Sequence, residues 1–265
     1  MFPVLFRLPN GFELRSYGVL LVIAVLVAVW MGRRRAPRWG IGTDKLWDSA
    51  PWLVLPGVLG ARLLYIAQHW EFYSSHPEQL WSLRFEGLTS FGGLIGGLLG
   101  FLVWRKIAKV GFWEFLDVVS VPVLVAQAIG RVGCLLNGCC YGRPSEMWCA
   151  VPVGGLPERH LAAQVVDSVL LLIGAWLLTR KERPLPPYGT SFGTMLAIFG
   201  ASRFVYEFFR AGSLEEFESG VASSVVGALG LTNAQWLSLA MVVGGIALAW
   251  ARRPKSGSAA VDTKA

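Results

Sequence analysis

The chain reads as an all-α integral membrane protein, with seven transmembrane helices and small head and arm segments outside the bilayer. Three observations predict this. Of its 265 residues, 54% are hydrophobic and only 15% charged, and a mean hydropathy of +0.52 is too high for an ordinary soluble domain. The apolar residues fall into runs close to the length that crosses about 30 Å of hydrocarbon. Basic residues gather in short clusters after alternate runs, as the cytoplasmic retention of Lys and Arg demands.

In chain order, the spans are expected at 17–31, 47–67, 89–104, 113–135, 161–179, 188–208 and 232–250. The third is short and glycine-rich from Phe91 to Gly100, which suits a helix whose backbone approaches a neighbour closely. Arg33, Arg34, Arg35 and Arg38 follow the first span, and Arg105, Lys106 and Lys109 the third. Arg180, Lys181 and Arg183 follow the fifth, and Arg252, Arg253 and Lys255 the seventh. The N-terminus is therefore expected outside and the C-terminus in the cytoplasm. Residues 1–255 form one polytopic domain, and the small, polar stretch 256–265 is a disordered cytoplasmic tail.

No removable signal peptide is expected before the first span, which acts as its own insertion signal. There is no internal repeat and no second soluble domain. The formal charge of +7 is accounted for by the topological clusters, so nucleic acid is not an expected partner.

This topology leaves 1–16, 69–88, 136–160 and 209–231 outside, next to the unusual polar residues. Tyr17 opens the first span, Arg62 sits within the second, Arg131 closes the fourth, and Arg203 and Glu207 lie in the outer half of the sixth. A charge in such a place is costly and marks function. Arg203 and Glu207 are four residues apart, so they share a helix face and can form a structural ion pair. Yet Arg131 and Arg203 together exceed what Glu207 neutralises, and a spare guanidinium in a membrane cleft is suited to gripping phosphate bidentately.

Glycines 130, 133, 138 and 142 punctuate the segment around Arg131. They fit either close helix packing with a turn, or a loop that exposes backbone N–H groups to a ligand. All four cysteines, 134, 139, 140 and 149, fall between the end of the fourth span and the outer loop. Disulfides that staple the loop, a metal among the thiolates, or one reactive thiol are the readings open to them. Stapling is preferred over metal, because adjacent Cys139 and Cys140 match no standard zinc spacing and His69, His76 and His160 are scattered. His160 is a candidate general base by its unperturbed pKa, or else a cap at a helix start, with Gln164 one turn later on the same face.

Several short pieces, in order and spread over nearly the whole chain, resemble the prolipoprotein diacylglyceryl transferase family. They are Leu14 to Gly18, Gly60 to Tyr65, Gly92 to Gly97, Gly130 to Gly133 continuing through Asn137 and Gly138 to Gly142, Arg203 to Arg210, and Leu231 to Ser238. The resemblance implies a multi-pass enzyme of the bacterial inner membrane, N-terminus periplasmic and C-terminus cytoplasmic, with a periplasmic head. It implies transfer of the diacylglyceryl group of phosphatidylglycerol to the lipobox cysteine of a prolipoprotein signal peptide, with release of glycerol 1-phosphate. No metal or organic cofactor is implied; the partners are phosphatidylglycerol, the lipobox-bearing signal peptide and membrane lipids. Two acyl chains would then anchor the product far more firmly than one.

By the same resemblance, Arg131 binds the lipid phosphate, and Arg203, oriented by Glu207, stabilises the leaving group or positions the second substrate. Tyr17 and Asn137 hydrogen-bond the head group, Gly142 shapes the loop, and Gly133, Arg62 and Arg210 complete the substrate-binding set. His160, Glu207 or a water remain as acceptors for the substrate thiol proton. The chain departs from the family pattern at Cys134, where many members carry asparagine, at Cys139, where they carry glutamate, and at Phe91, where histidine or tyrosine is common. The stretch His160 to Gln164 lacks the family's proline and is one residue longer. A non-catalytic lipid-binding paralogue is the main rival, and a membrane thiol oxidoreductase a lesser one, since the chain has no Cys-x-x-Cys pair.

Overall fold

The computed structural model describes residues 2–7, 13–76, 89–153, 158–210, 225–226 and 230–253. The expected tail 256–265 and parts of the outer segments lie outside the described residues, as does the side chain of Phe91. Every expected span coincides with a long helix. These are α1 (Ser16–Arg35), α2 (Thr43–Gln68), α4 (Ser90–Ala108), α5 (Phe112–Asn137), α6 (Ala163–Lys181), α7 (Thr190–Phe209) and α8 (Asn233–Ala251), with the six-residue α3 (Trp70–Ser75) after α2. A 3-10 turn, Ala36–Trp39, extends α1.

Among the described residues, five of these helices, α1, α2, α5, α6 and α8, are both long and apolar enough to cross a membrane. The other two, α4 and α7, have 19 and 20 residues. The fold is thus an all-α membrane architecture, with one addition to the sequence expectation. Among the described residues, three short antiparallel strand pairs decorate it: β1 (Val4–Arg7) with β2 (Glu13–Arg15), β3 (Ala150–Pro152) with β4 (Arg159–Leu161), and β5 (Val225–Val226) with β6 (Leu231–Thr232).

The chain divides into two compact units, Arg33–Phe115 and the pair of segments Met1–Gly32 and Leu116–Ala265. In the first, α2 and α4 meet through glycine, as the composition of the third span predicts. A Cβ at Gly92 would overlap the carbonyl of Gly60, one at Gly96 that of Pro56, and one at Gly100 that of Trp52. The backbones touch because nothing stands between them. Thr89 donates from both its N–H and its hydroxyl to the Ala61 carbonyl, each at 3.2 Å, which fixes the start of α4.

In the second unit, α5, α6 and α7 enclose an apolar core of Val121, Leu124, Ala128, Leu171, Ala175, Leu178 and Met195. Helix α8 packs on α7 by the same glycine device, since a Cβ at Gly193 would lie 2.7 Å from the Gly245 carbonyl. Its start is a capping box: Thr232 Oγ1 accepts from the Gln235 N–H at 3.2 Å, and Gln235 Oε1 accepts from the Thr232 N–H at 2.9 Å. At the start of α7, buried Asp117 on α5 accepts from the N–H groups of Gly189 at 2.6 Å and Phe192 at 2.8 Å. A carboxylate at a helix N-terminus meets both orphan donors and the positive end of the dipole. These two bonds pin the start of α7 to α5, and at the far ends of the same helices Arg131 lies against the Tyr206 ring.

Candidate functional site

Where α5, α6 and α7 end or begin together, three arginines and two carboxylates form a layered cluster. Arg131 Nε lies 2.5 Å from Asp167 Oδ2, and the other carboxylate oxygen of Asp167 accepts from the Ser202 hydroxyl. Arg203 Nη2 lies 2.9 Å from Glu207 Oε2, and Arg210 Nη1 lies 3.6 Å from Glu207 Oε1. The acids are sealed, with side chains 4% and 1% exposed, whereas Arg131 and Arg203 keep 18% and 23%. Each guanidinium is therefore held from behind and open in front.

Tyr206 joins the two. Its ring centroid is 4.7 Å from the guanidinium carbon of Arg131 and also 4.7 Å from that of Arg203. The two carbons are consequently no more than twice that distance apart. Its hydroxyl donates to the Cys140 carbonyl at 2.8 Å, so one buried side chain sets both cations and the loop after α5.

Asp167 corrects one step of the sequence reasoning. Arg131 has its own acid, so Glu207 is not the only group available for neutralisation. The positive excess survives in another form, as three guanidiniums against two carboxylates.

Around this centre, the remaining candidates take distinct positions. Tyr17 lies at the start of α1 against Gly133, where an added Cβ would come 3.2 Å from the Tyr17 ring. Asn137 is the last residue of α5, beside the Cys139 thiol. Gly142 bridges to Arg210, donates its N–H to the Leu161 carbonyl at 2.8 Å, and has no room for a side chain. A Cβ there would meet the Phe209 carbonyl at 2.7 Å and Leu161 Cβ at 2.8 Å. Arg62 belongs to the other unit, where its guanidinium carbon sits 5.4 Å from the Tyr73 ring centroid.

His160 is buried, with Nδ1 hydrogen-bonded to the Gly142 carbonyl at 2.9 Å and its ring edge-on to Tyr141. It lies on β4, and not on a helix face shared with Gln164, because Gly142, Pro144 and β3 draw residues 159–161 into an extended ladder. Gln164 instead starts α6 and donates from Nε2 to the Cys139 carbonyl at 2.7 Å.

The cysteines are free thiols in the structure, so the expected staple is not formed. Three of them converge, since the sulfurs of Cys134, Cys139 and Cys140 all lie within 4.8 Å of one another. Left-handed backbone at Gly138 (φ 76°) and Cys140 (φ 60°) turns the loop back onto the helix end. Hydrogen bonds from the Cys134 and Cys139 thiols, then the charges of Arg131 and Arg210, hold the Cys140 thiol below the usual value against the upward push of burial. A cavity of about 570 Å³ is lined by Pro144, Ser145, Glu146, Glu158 and Arg159, none of which belongs to the arginine cluster.

Asp167, Ser202, Tyr206 and Gln164 escaped the sequence reading as site residues. Asp167 carries the clearest signal in retrospect: an acid inside an apolar helix asks for a named partner.

Residues 3–251 match the family model described as prolipoprotein diacylglyceryl transferase. Among similar proteins, the phosphatidylglycerol–prolipoprotein diacylglyceryl transferase of a Nostoc species is 30% identical over 252 residues, covering 89% of each chain. That of Clostridium tetani is 31% identical over 215 residues, covering 79% of this chain and 86% of its own. The enzyme of that name from Enterococcus faecalis is 29% identical over 268 residues, covering 94% of this chain and 90% of its own.

Proposed function

Because the chain belongs to the prolipoprotein diacylglyceryl transferase family, we propose that it moves the diacylglyceryl group of phosphatidylglycerol onto the lipobox cysteine of a prolipoprotein. The substrate sulfur attacks the glyceryl carbon, the C–O bond to phosphate breaks, and glycerol 1-phosphate departs with the electron pair. Two demands follow: the sulfur must act as thiolate, and the departing phosphate needs fixed positive donors in a dry place.

The observation that carries this reading is the pair of half-open guanidiniums on one ring. Arg131 and Arg203 each spend one edge on a sealed carboxylate and keep the rest of the fork for phosphate. Held by protein, they need little reorganisation as charge develops on the leaving oxygen. Arg210 adds to the positive field through the same Glu207. Tyr17 and Asn137 offer hydrogen bonds to the head group, with Gly133 making room for the Tyr17 ring and Gly142 closing the loop on α7. Arg62 remains a proposed substrate contact. His160, buried and bound to the Gly142 carbonyl, acts as a positioning residue that holds this loop.

Seven spans complete the reading, with α4 and α7 added to the other five long helices. Basic residues close α1, α4 and α6 and follow α8, while Tyr17, Arg131, Asp167, Arg203 and Gln235 sit at the opposite ends. That alternation supports a cytoplasmic C-terminus and a site facing the outer side of the inner membrane.

The test is reconstitution of the purified protein in phosphatidylglycerol vesicles with a lipobox peptide. Lipidated peptide and an equal amount of glycerol phosphate are expected. Lipid binding without either product would make the chain a non-catalytic binder.

A further inference from the structure

We propose that Cys134, Cys139 and Cys140 form a three-thiolate zinc site whose fourth position receives the thiol of the incoming lipobox cysteine. This rests on the transferase reading above and supplies what the cluster lacks, a means of making the substrate sulfur a thiolate.

The geometry is the first support. The three sulfurs lie within 4.8 Å of one another, and zinc–sulfur bonds of about 2.3 Å set sulfurs about 3.8 Å apart in a tetrahedron. Contraction by about an ångström closes the site. Sequence spacing conceals it, because adjacent cysteines ordinarily splay; here the left-handed backbone at Cys140 returns its thiol to the other two.

The loop is also braced at its backbone. The Cys139 N–H donates to the Cys134 carbonyl at 3.1 Å. The Cys139 carbonyl is held by Gln164 from α6, and the Cys140 carbonyl by Tyr206 from α7. Outer groups of this kind fix the direction of metal ligands. The other amide atom of Gln164, Oε1, is buried and has no hydrogen-bond partner among the described residues, which leaves an acceptor beside the trio.

The chemistry is the third support. Among the described residues of the cluster, Asp167 and Glu207 are bound to arginines, and His160 is buried against the Gly142 carbonyl. The two acids are committed to cations, and the imidazole is only 2% exposed, away from an arriving thiol. A thiol that binds zinc loses its proton outright. The step balances without redox change: the substrate S–H displaces water from zinc and gives its proton to solvent. Its sulfur lone pair then forms the C–S bond as the C–O bond breaks toward phosphate. The thioether product is a neutral, weaker ligand and leaves.

The experiment uses the full chain, reduced, stripped with chelator in detergent, and titrated with Zn²⁺ and with Co²⁺ as a spectroscopic stand-in. About one equivalent should bind to the wild type and to Cys149→Ser, with at least about a tenfold loss of affinity in each of Cys134→Ser, Cys139→Ser and Cys140→Ser. The Co²⁺ form should gain thiolate charge-transfer absorption, strengthened by a lipobox peptide with cysteine but not by one with serine. Arg131→Ala should keep both responses while losing transfer.

Absence of stoichiometric binding, binding indifferent to the three cysteines, a disulfide among them in the active protein, or full transfer by the stripped protein would each overturn the site. The last of these would leave the transferase reading standing. Metal and peptide binding as described with no transfer by any form would instead remove the transferase reading and keep the metal site.

Discussion

Arg131 Nε and Asp167 Oδ2 are 2.5 Å apart, an ion pair that ties the end of α5 to the first turns of α6. The carboxylate is sealed and the guanidinium is not, so the pair is a mount for the cation. Asp167→Asn keeps the shape but withdraws the charge that aims Arg131. Transfer should fall by roughly 10²-fold, the scale at which a small misplacement of a positioning group is felt. Asp167→Ala should in addition destabilise the protein by about 3 kcal/mol, as expected when one partner of a buried pair is removed. Transfer assays and thermal unfolding in detergent measure the two effects; an unaltered rate in Asp167→Asn would mean that Arg131 is held by other means.

Arg131 and Arg203 are expected to behave as phosphate donors. Arg131→Ala and Arg203→Ala should each lower kcat/KM by about 10²–10³-fold with insertion unchanged. Lysine at either position should recover only part of this, because it offers a point charge in place of a planar fork. Wild-type rates in Arg131→Ala would remove the phosphate assignment.

The seven helices are legible in the sequence because bilayer thickness is a length that composition can display, and each expected span has a helix over it. The strand pairs are not, since strands of two to four residues leave no alternation to read. The cluster is legible by halves. Arg131, Arg203 and Glu207 stand out as charges in apolar runs, whereas Asp167 becomes visible only once α6 is laid beside α5. Tyr206 is one aromatic among many until its ring is seen against two guanidiniums. The cysteine trio depends on a backbone reversal at Cys140 that no spacing rule anticipates.

Tyr206 separates packing from hydrogen bonding. Tyr206→Phe keeps the ring against both arginines and loses the bond to the Cys140 carbonyl, for a cost of about 1 kcal/mol. Tyr206→Leu also removes two cation–π contacts, each about 0.5–2 kcal/mol, and should impair transfer well beyond the phenylalanine variant. Equal activity in the two variants would show that the ring does not organise the cations.

Two glycines near the site should respond in opposite directions. Gly142→Ala forces a Cβ against the Phe209 carbonyl and Leu161, so a loss of about 1–3 kcal/mol is expected, with reduced transfer as the loop shifts. Gly130, inside α5, has open space where its Cβ would be. Gly130→Ala should be neutral or stabilising by up to about 1 kcal/mol, as alanine is the better helix former. Unfolding midpoints of the two variants decide the comparison.

Asp117 offers a control at the other end of the same helix. It lies fourteen residues before Arg131 on α5, roughly 21 Å at 1.5 Å per residue, and its buried carboxylate accepts two N–H groups at the start of α7. Asp117→Ala leaves both donors without that acceptor and should cost about 1–3 kcal/mol. Asp117→Asn keeps one acceptor oxygen, but loses the negative charge that suits the helix dipole, and should fall between the two. Because α7 also carries Arg203, the variant separates rigidity from site chemistry. If the carboxylate serves only to start the helix, the unfolding midpoint drops while KM for phosphatidylglycerol stays at the wild-type value below that temperature. A raised KM in an intact, inserted Asp117→Asn protein would show that the two ends of α7 are coupled, and that the arginine cluster depends on how firmly its helix begins.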